Sequence, residues 1–288
     1  MNKHQDLKIV VDTSAANFLT ECGPLLYRDE PTNSLLLGLL EGAAAAPATS
    51  QPPLLIRVIE NGVTVTVAAS LRRAPMNIIL TYAEDAHLQL IAEHLKATGE
   101  VFTGVVGPRR ESESFANIWK KMSGQSYELE MAQMIYKITD VTFPKGVSGE
   151  LKVADNFDLF LKWMHAFTKE CLPGDRRTDQ QWKEFAEGLM SKQRAFFWYV
   201  DNKPVGMAIY SRPTKHGVSV SGVYTPPENR RKGYASAIVA GLSQRKLDEG
   251  RQFCVLYTDL SNPTSNKIYK EVGYREVCES RHFNFNEV

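Results

Sequence analysis

One stretch of the sequence, residues 218–273, constrains the fold more than any other. It begins with a strand, continues through a basic turn that contains Gly233, and enters a helix that ends at Gly250. A run that is apolar on both faces, residues 253–257, follows this helix. Such a run belongs in the centre of a sheet, parallel to the strand before the helix. The stretch therefore predicts a helix N-terminus at the edge of the sheet where open α/β folds bind their ligands.

The first strand of this stretch loses its alternation at Gly222. Val218 and Val220 are two positions apart, but the next apolar residue is Val223. A slip of one residue is typical of a β-bulge, although a glycine that only relieves crowding is the alternative. A bulge here would free backbone groups and separate two strands.

The basic turn before the helix has the composition of an anion-binding site. Gly233 and the small Ala235 let a ligand approach the backbone closely, and the positive end of the helix dipole favours an anion. Arg230, Arg231 and Lys232 add attraction at longer range. We predict a phosphate-binding turn, while the spacing alone also allows a solvated basic helix start.

The last helix of the stretch carries a polar line. Asn262 and Pro263 suit the N-cap and the first helical position, and Gly273 stands just past the helix end. Asn262, Asn266 and Tyr269 then lie near one line, at spacings of four and three. A capping asparagine and a core tyrosine would also explain this pattern. Beside a phosphate-binding turn, the line indicates a binding surface.

These residues resemble the two signature motifs of the GNAT superfamily of N-acetyltransferases. The first motif is Arg230-x-x-Gly233-x-Ala235 after a strand, and the second is Asp259-x-x-Asn262-Pro263-x-Ser265-Asn266-x-x-Tyr269-x-x-x-Gly273-Tyr274. Each motif alone is weak, whereas the two in this order are specific. The resemblance covers residues 149–285 in the order of elements. It implies an N-acetyltransferase with acetyl-CoA (coenzyme A) as cofactor.

The resemblance also implies roles for particular residues. The backbone amides that would bind the coenzyme A pyrophosphate are those of Arg231, Lys232, Gly233, Tyr234, Ala235 and Ser236. The residues that would bind the pantetheine arm are Val223, Tyr224 and Thr225 on the strand, and Asn262 and Asn266 on the helix. Tyr269 occupies the position where the family often has the acid that protonates the departing thiolate. The implied reaction is direct attack of a primary amine on the thioester, with a strand N–H stabilising the carbonyl oxygen.

The general base stays unassigned. Many relatives have a glutamate on the bulged strand, but residues 218–225 include no carboxylate. The candidates are Glu228, Asp259 and His165, and a packing role is the alternative for His165 in its apolar helix. The missing carboxylate keeps a non-catalytic acyl-CoA-binding or regulatory protein in play. Transfer of another acyl group or of an amino acid is a third reading.

The first half of the chain repeats this order of elements without the motifs. We predict two tandem GNAT-like domains, residues 1–143 and 144–288, each with a mixed, mostly antiparallel α/β sheet and flanking helices. The turn of the first half that corresponds to the basic turn is acidic and has no glycine, and it reads Thr81-Tyr82-Ala83-Glu84-Asp85. Carboxylates there would repel a pyrophosphate, so we predict a degenerate first copy that does not bind coenzyme A. An exposed loop at residues 42–53 and two late strands after a helix at 113–122 complete the expectation for this half.

Net charge, cysteine spacing and the length of apolar runs exclude several classes of partner. A formal net charge of +1 gives no footprint for nucleic acid. The four cysteines are too far apart in sequence for a zinc site, so no metal is expected. No window approaches about 20 apolar residues, and the N-terminus lacks a signal-peptide run, so we expect a cytoplasmic protein that does not span a membrane. The expected partner is a small-molecule or peptide amine acceptor, and the sequence does not indicate an oligomeric state.

Overall fold

The computed structural model describes residues 6–46, 52–71, 76–172, 175 and 177–286. These residues divide into two compact units, each with a mixed sheet and flanking helices. The first unit comprises Met1–Ile135, Thr258–Ser261 and Val277–Val288, and the second comprises Tyr136–Tyr257 and Asn262–Glu276. The predicted fold class is confirmed. The predicted domain limits at residues 143 and 144 stay a prediction.

The first unit contains most of the elements of the first half. In chain order these are β1 (Leu7–Asp12), α1 (Ala15–Leu26), α2 (Ser34–Ala45), β2 (Leu54–Glu60), β3 (Val63–Ser70), β4 (Asn77–Leu80), α3 (Asp85–Thr98), β5 (Gly104–Pro108), α4 (Arg109–Ser123) and the start of β6 (Tyr127–Ile138). Helix α2 continues past the predicted start of the loop because its last residues are alanines, the best helix formers. Residues 47–51 of that predicted loop lie outside the described residues.

The second unit contains the stretch that carries the motifs. Its elements are β7 (Glu150–Val153), α5 (Phe157–Cys171), α6 (Asp179–Ser191), β8 (Ala195–Val200), β9 (Lys203–Ser211), β10 (Gly217–Tyr224), α7 (Tyr234–Asp248), β11 (Phe253–Asp259) and α8 (Pro263–Val272), and the chain ends with β12 (Arg275–Phe285). Within the described residues, no helix combines the length and the apolarity needed to cross a membrane.

The sheets of the two units share one pattern. Strands of the first unit follow the order β1-β2-β3-β4-β5-β12, and strands of the second follow β7-β8-β9-β10-β11. The strands pair antiparallel except β4 with β5 and β10 with β11, which are parallel and joined by helices α3 and α7. The predicted repetition of the strand–helix–strand order is therefore present in both sheets.

The C-terminal strand completes the sheet of the first unit. Strand β12 pairs antiparallel with β5, with Phe283 opposite Val105. The prediction of two late strands in the first half is wrong, because residues 124–149, all described, contain only β6. The alternation of a strand shows that it is half buried but does not show which strand pairs with it. The place beside β5 is occupied by a strand from the far end of the chain.

Candidate functional site

The slip at Gly222 is a β-bulge. The register between β9 and β10 shifts between Ser221 and Tyr224, and Gly222 has a φ of +58°. A Cβ at Gly222 would lie 3.0 Å from Cγ1 of Ile209, so both the conformation and the available space favour glycine. The predicted bulge is confirmed.

Strands β10 and β11 separate just before this bulge. Their parallel pairing covers Gly217 to Ser219 on β10 and Phe253 to Val255 on β11, although β10 continues to Tyr224. Among the described residues of the second unit, no further pair joins these two strands. The second half of β10 therefore has backbone groups that face a gap in the sheet.

The turn between β10 and α7 ends in a row of free backbone N–H groups. Arg231 and Gly233 have φ values of +61° and +81°, and Gly233 is the N-cap of α7 with no side-chain cap. The first helical bond runs from the N–H of Ala237 to the carbonyl of Gly233, at 3.0 Å. In the described part of the chain, no group accepts a hydrogen bond from the N–H of residues 231–236. Such a row at a helix N-terminus is suited to bind an anion.

Gly233 is required by contact as well as by conformation. A Cβ at this position would lie 2.6 Å from Cγ2 of Val147, a distance shorter than real Cβ atoms approach another atom. No sequence pattern points to Val147 at the turn, because an isolated valine carries no motif. Substitution of Gly233 would therefore disturb packing as well as ligand approach.

The side chain of Arg230 stabilises the start of the turn. Its Nε donates to the carbonyl oxygen of Thr225 at 2.9 Å, and its Nη2 lies 2.7 Å from Oε2 of Glu170 on α5. The hydroxyl of Tyr224 donates to Oε1 of the same carboxylate at 3.5 Å. The Arg230 and Glu170 side chains are 42% and 44% exposed, so this ion pair is worth at most about 1 kcal/mol. Sequence reasoning missed Glu170, because a lone carboxylate near a helix end gives no signal.

The two asparagines of α8 have partners within the second unit. The side-chain oxygen of Asn262 accepts the N–H of Ser265 at 3.0 Å, as an N-cap does. Asn266 donates through Nδ2 to the carbonyl of Asn262 at 2.7 Å and accepts from the hydroxyl of Tyr136 at 3.0 Å. The predicted N-cap is confirmed, and a role of both residues in ligand binding stays a prediction. Nδ2 of Asn262 has no acceptor among the described residues.

Tyr269 lies among other aromatic rings on α8. Its ring centroid is 6.4 Å from that of Tyr136 and 6.0 Å from that of Tyr274. Burial raises the pKa of Tyr269 to about 12, and a hydrogen bond with Ser265 opposes this rise. The hydroxyl therefore carries its proton throughout the neutral range, as a proton donor must.

The three candidate bases occupy different surroundings. Glu228 is exposed in a 3-10 turn, Pro227–Asn229. A side-chain oxygen of Asp259 accepts the N–H of Ser261 at 2.8 Å, and the ring of His165 lies 6.1 Å from that of Trp182. The assignment of a base to any of them stays a prediction.

The corresponding helix start of the first unit is closed by its own side chains. Glu84 is the N-cap of α3, its carboxylate accepts the N–H of His87, and the His87 ring accepts the N–H of Glu84 at 3.3 Å. Asp85 in the first turn is paired with Arg110 at 3.2 Å. A negative group therefore already occupies the position that a phosphate would need, which agrees with a first copy that does not bind coenzyme A.

Comparison with known proteins agrees with this geometry. Residues 158–274 match the model of the acetyltransferase (GNAT) family. A Drosophila protein shares the fold with a TM-score of 0.67 at 9% identity, over 98% of this chain and 99% of that chain. A GCN5-related N-acetyltransferase from Sphaerobacter thermophilus has a TM-score of 0.60 at 13% identity, over 96% and 95% of the two chains.

A third solved structure is similar to this chain over nearly its whole length. It is a tandem GNAT protein from the clavulanic acid biosynthesis pathway, with a TM-score of 0.57 at 12% identity over 98% of each chain. A search of curated proteins gave no significant match. At such low identities, the TM-scores of these structures support the fold alone. The family match, in contrast, covers the residues that carry both motifs. The second half of the chain thus contains a domain of the GNAT family of acetyltransferases, in a chain with the fold of tandem GNAT proteins.

Proposed function

We propose that this protein is an acetyl-CoA-dependent N-acetyltransferase that transfers the acetyl group to a primary amine. One observation carries the proposal: the free N–H groups of residues 231–236 lie at the start of α7, and the strand that leads to them, β10, has an open half that no longer pairs with β11. An anion at the helix and an extended arm along the open strand are the two demands that coenzyme A makes.

The turn fits the pyrophosphate. Six consecutive backbone N–H groups, from Arg231, Lys232, Gly233, Tyr234, Ala235 and Ser236, are free to donate, and α7 is 15 residues long, so that its dipole favours a negative charge at this end. The side chains of Arg231 and Lys232 are exposed and add positive charge.

The open half of β10 fits the pantetheine arm. Backbone groups of Val223, Tyr224 and Thr225 follow the bulge, where pairing to β11 has ended. The buried Oγ1 of Thr225 has no hydrogen-bond partner within the described residues, and Nδ2 of Asn262 is also free. Both groups are therefore available to donate a hydrogen bond to a ligand, and a buried hydroxyl such as that of Thr225 needs such a partner or a water.

Residues of this chain would divide the chemistry between them. Acetyl-CoA, when bound, supplies an activated acyl thioester. A backbone N–H near the bulge stabilises the negative charge that develops on the carbonyl oxygen. Tyr269 donates the proton that the departing thiolate needs, and the acceptor amine must lose its own proton to a base or a water chain.

Titration of the protein with acetyl-CoA, followed by a screen of primary amines for acetylated product, tests the proposal. We expect binding in the titration, and acetylated product from at least one small-molecule or peptide amine. Absence of binding would overturn the proposal. Binding without transfer to any amine would instead support the non-catalytic acyl-CoA-binding alternative.

Ala235→Glu is expected to weaken acetyl-CoA binding about 10- to 100-fold, the range of one charge-assisted hydrogen bond. Ala235 is the second residue of α7 and is partly exposed, so a longer side chain can leave the core. A carboxylate there stabilises the helix start but repels a pyrophosphate. Isothermal titration measures the affinity, and the thermal midpoint without ligand checks that the fold is intact.

Ala235→Gln is the matched control, because it has nearly the same size without the charge. We expect it to keep most of the affinity. If Ala235→Glu bound acetyl-CoA as tightly as Ala235→Gln, the phosphate site would lie elsewhere.

A further inference from the structure

The sheet face that packs on α5 and α6 changes from apolar to polar near the bulge. Met207, Ile209 and Tyr224 belong to the apolar cluster on this face. Further along the same face stand Ser211, Ser219, Ser221 and Tyr257, because alternate residues of a strand share a face and Ser219 is opposite Ser211 and Val255. The hydroxyls of Ser211 and Ser221 lie 3.2 Å apart.

Ser219 is a buried polar group without a partner. Its residue is 0% exposed, and its hydroxyl oxygen has no hydrogen-bond partner within the described residues. A buried hydroxyl without a partner destabilises the fold, so its presence calls for an explanation. Packing alone would be served better by alanine at this position.

Arg212 brings an uncompensated charge to the same face. It follows β9 with a φ of +45°, and its guanidinium carbon lies 5.5 Å from the ring centroid of Tyr257. Its Nε is buried without an acceptor, and in the described part of the chain no carboxylate lies within 4.0 Å of its guanidinium. Burial of part of the side chain lowers the pKa of Arg212.

These groups lie beside the proposed thioester position. Tyr257 is two residues past the last paired residue of β11, Val255, and Gly222 is three residues past the last paired residue of β10, Ser219. The guanidinium over Tyr257 and the bulge therefore both follow the point where the two strands separate. A small molecule held by Arg212 would thus present a neighbouring group to the bulge.

We propose that Arg212, with the hydroxyl of Ser219, binds the carboxylate of the acceptor, and that the acceptor is a small amine of the amino-acid type. This inference rests on the proposed function for the amine and on the unpartnered groups for the carboxylate. A planar carboxylate matches the fork of a guanidinium in two hydrogen bonds. One guanidinium balances a single negative charge, which favours a carboxylate over a doubly charged phosphate.

Pairs of amines that differ only by the carboxylate test the inference. Suitable pairs are glycine with methylamine, leucine with 3-methylbutylamine, lysine with cadaverine and phenylalanine with phenethylamine. Two measurements are made on the full chain: the thermal midpoint with each amine alone, and the rate of acetylation with acetyl-CoA. We expect at least one amino acid to raise the midpoint and to be acetylated in preference to its decarboxylated partner.

Arg212→Met removes the guanidinium and keeps an unbranched side chain. We expect it to raise KM for the preferred amino acid about 10- to 100-fold, to abolish the shift of the midpoint by that amino acid, and to leave acetyl-CoA affinity unchanged. We also expect the midpoint without ligand to stay the same or to rise, because a buried charge without a partner does not stabilise the fold. Ser219→Ala should also weaken binding of the amino acid, without lowering the midpoint of the protein alone.

Arg194→Met is the matched control, since the guanidinium of Arg194 lies 5.7 Å from the ring of Tyr210, outside this cluster. It should leave the preference for the carboxylate unchanged. The inference is overturned if no amino acid of the panel raises the midpoint or is preferred, if Arg212→Met keeps both effects, or if Arg212→Met lowers the midpoint without ligand. If an amino acid binds through Arg212 but no amine is acetylated, the proposed transfer fails and the carboxylate site stands.

Discussion

Tyr269→Phe is expected to lower kcat for acetyl transfer about 100-fold and to leave acetyl-CoA affinity within about twofold, if Tyr269 is the acid. The substitution removes only the phenolic O–H, while the ring keeps its contacts with Tyr136 and Tyr274. Steady-state kinetics at saturating acceptor and titration of acetyl-CoA measure the two quantities separately. Retention of kcat within about threefold would remove Tyr269 from the mechanism.

Tyr274→Phe is the matched control for this experiment. Tyr274 is fully buried, and its hydroxyl lies 2.8 Å from that of Ser243. Loss of this hydrogen bond is expected to lower the free energy of unfolding by about 1 kcal/mol, with little change in kcat.

The pH dependence of kcat provides a second test of Tyr269. The raised pKa, about 12, keeps the acid form intact in alkaline solution, because a group is protonated below its pKa. We therefore expect no decline of kcat caused by this group between about pH 8 and about pH 10. A decline in that range that disappeared in Tyr269→Phe would contradict the pKa shift.

Phe285→Ala is expected to lower the free energy of unfolding of the first unit by about 3–5 kcal/mol. Phe285 lies on β12 and its ring is 5.7 Å from that of Phe102 and 6.3 Å from that of Trp119. The substitution opens a cavity in this aromatic cluster. Phe285 comes from the C-terminal end of the chain, whereas most of the first unit comes from the N-terminal half. Chemical denaturation measures the loss, and faster hydrogen exchange at Val105 and Val106 of β5 would locate it.

Phe143→Ala is the control for the cavity argument, because Phe143 is 49% exposed. It should change the free energy of unfolding by less than about 0.5 kcal/mol. Equal effects of the two substitutions would mean that the C-terminal strand does not stabilise the first unit as we infer.

Local rules account for the parts of the site that the sequence predicted. Gly222 marks the bulge because a one-residue slip exchanges the faces of a strand. Asn262 and Pro263 mark the start of α8 because a cap and a fixed φ act on neighbouring backbone groups. Gly233 marks the basic turn because a positive φ favours glycine. Each of these signals depends on a few consecutive residues.

Contacts between distant residues lie beyond such rules. Glu170 meets Arg230 across 60 positions, and no pattern in either segment points to the other. Val147 limits the space at Gly233, although it is separated from that residue by most of the second unit. Helix α2 continues to Ala45 because of local helix propensity. The strand beside β5, in contrast, depends on pairing with a distant segment of the chain.

Sequence patterns alone predict the strand–turn–helix stretch at residues 218–273, the mixed α/β class, the repeated order of elements and the resemblance to the GNAT motifs. Period, capping and backbone conformation fix these features within short segments. The pairing of β12 with the sheet of the first unit, and the burial of the Arg212 Nε and the Ser219 hydroxyl without hydrogen-bond partners in the described residues, are visible only in the folded chain. Strand pairing and burial depend on which distant parts of the chain lie near a residue in space. Patterns within a short segment of sequence do not contain this information.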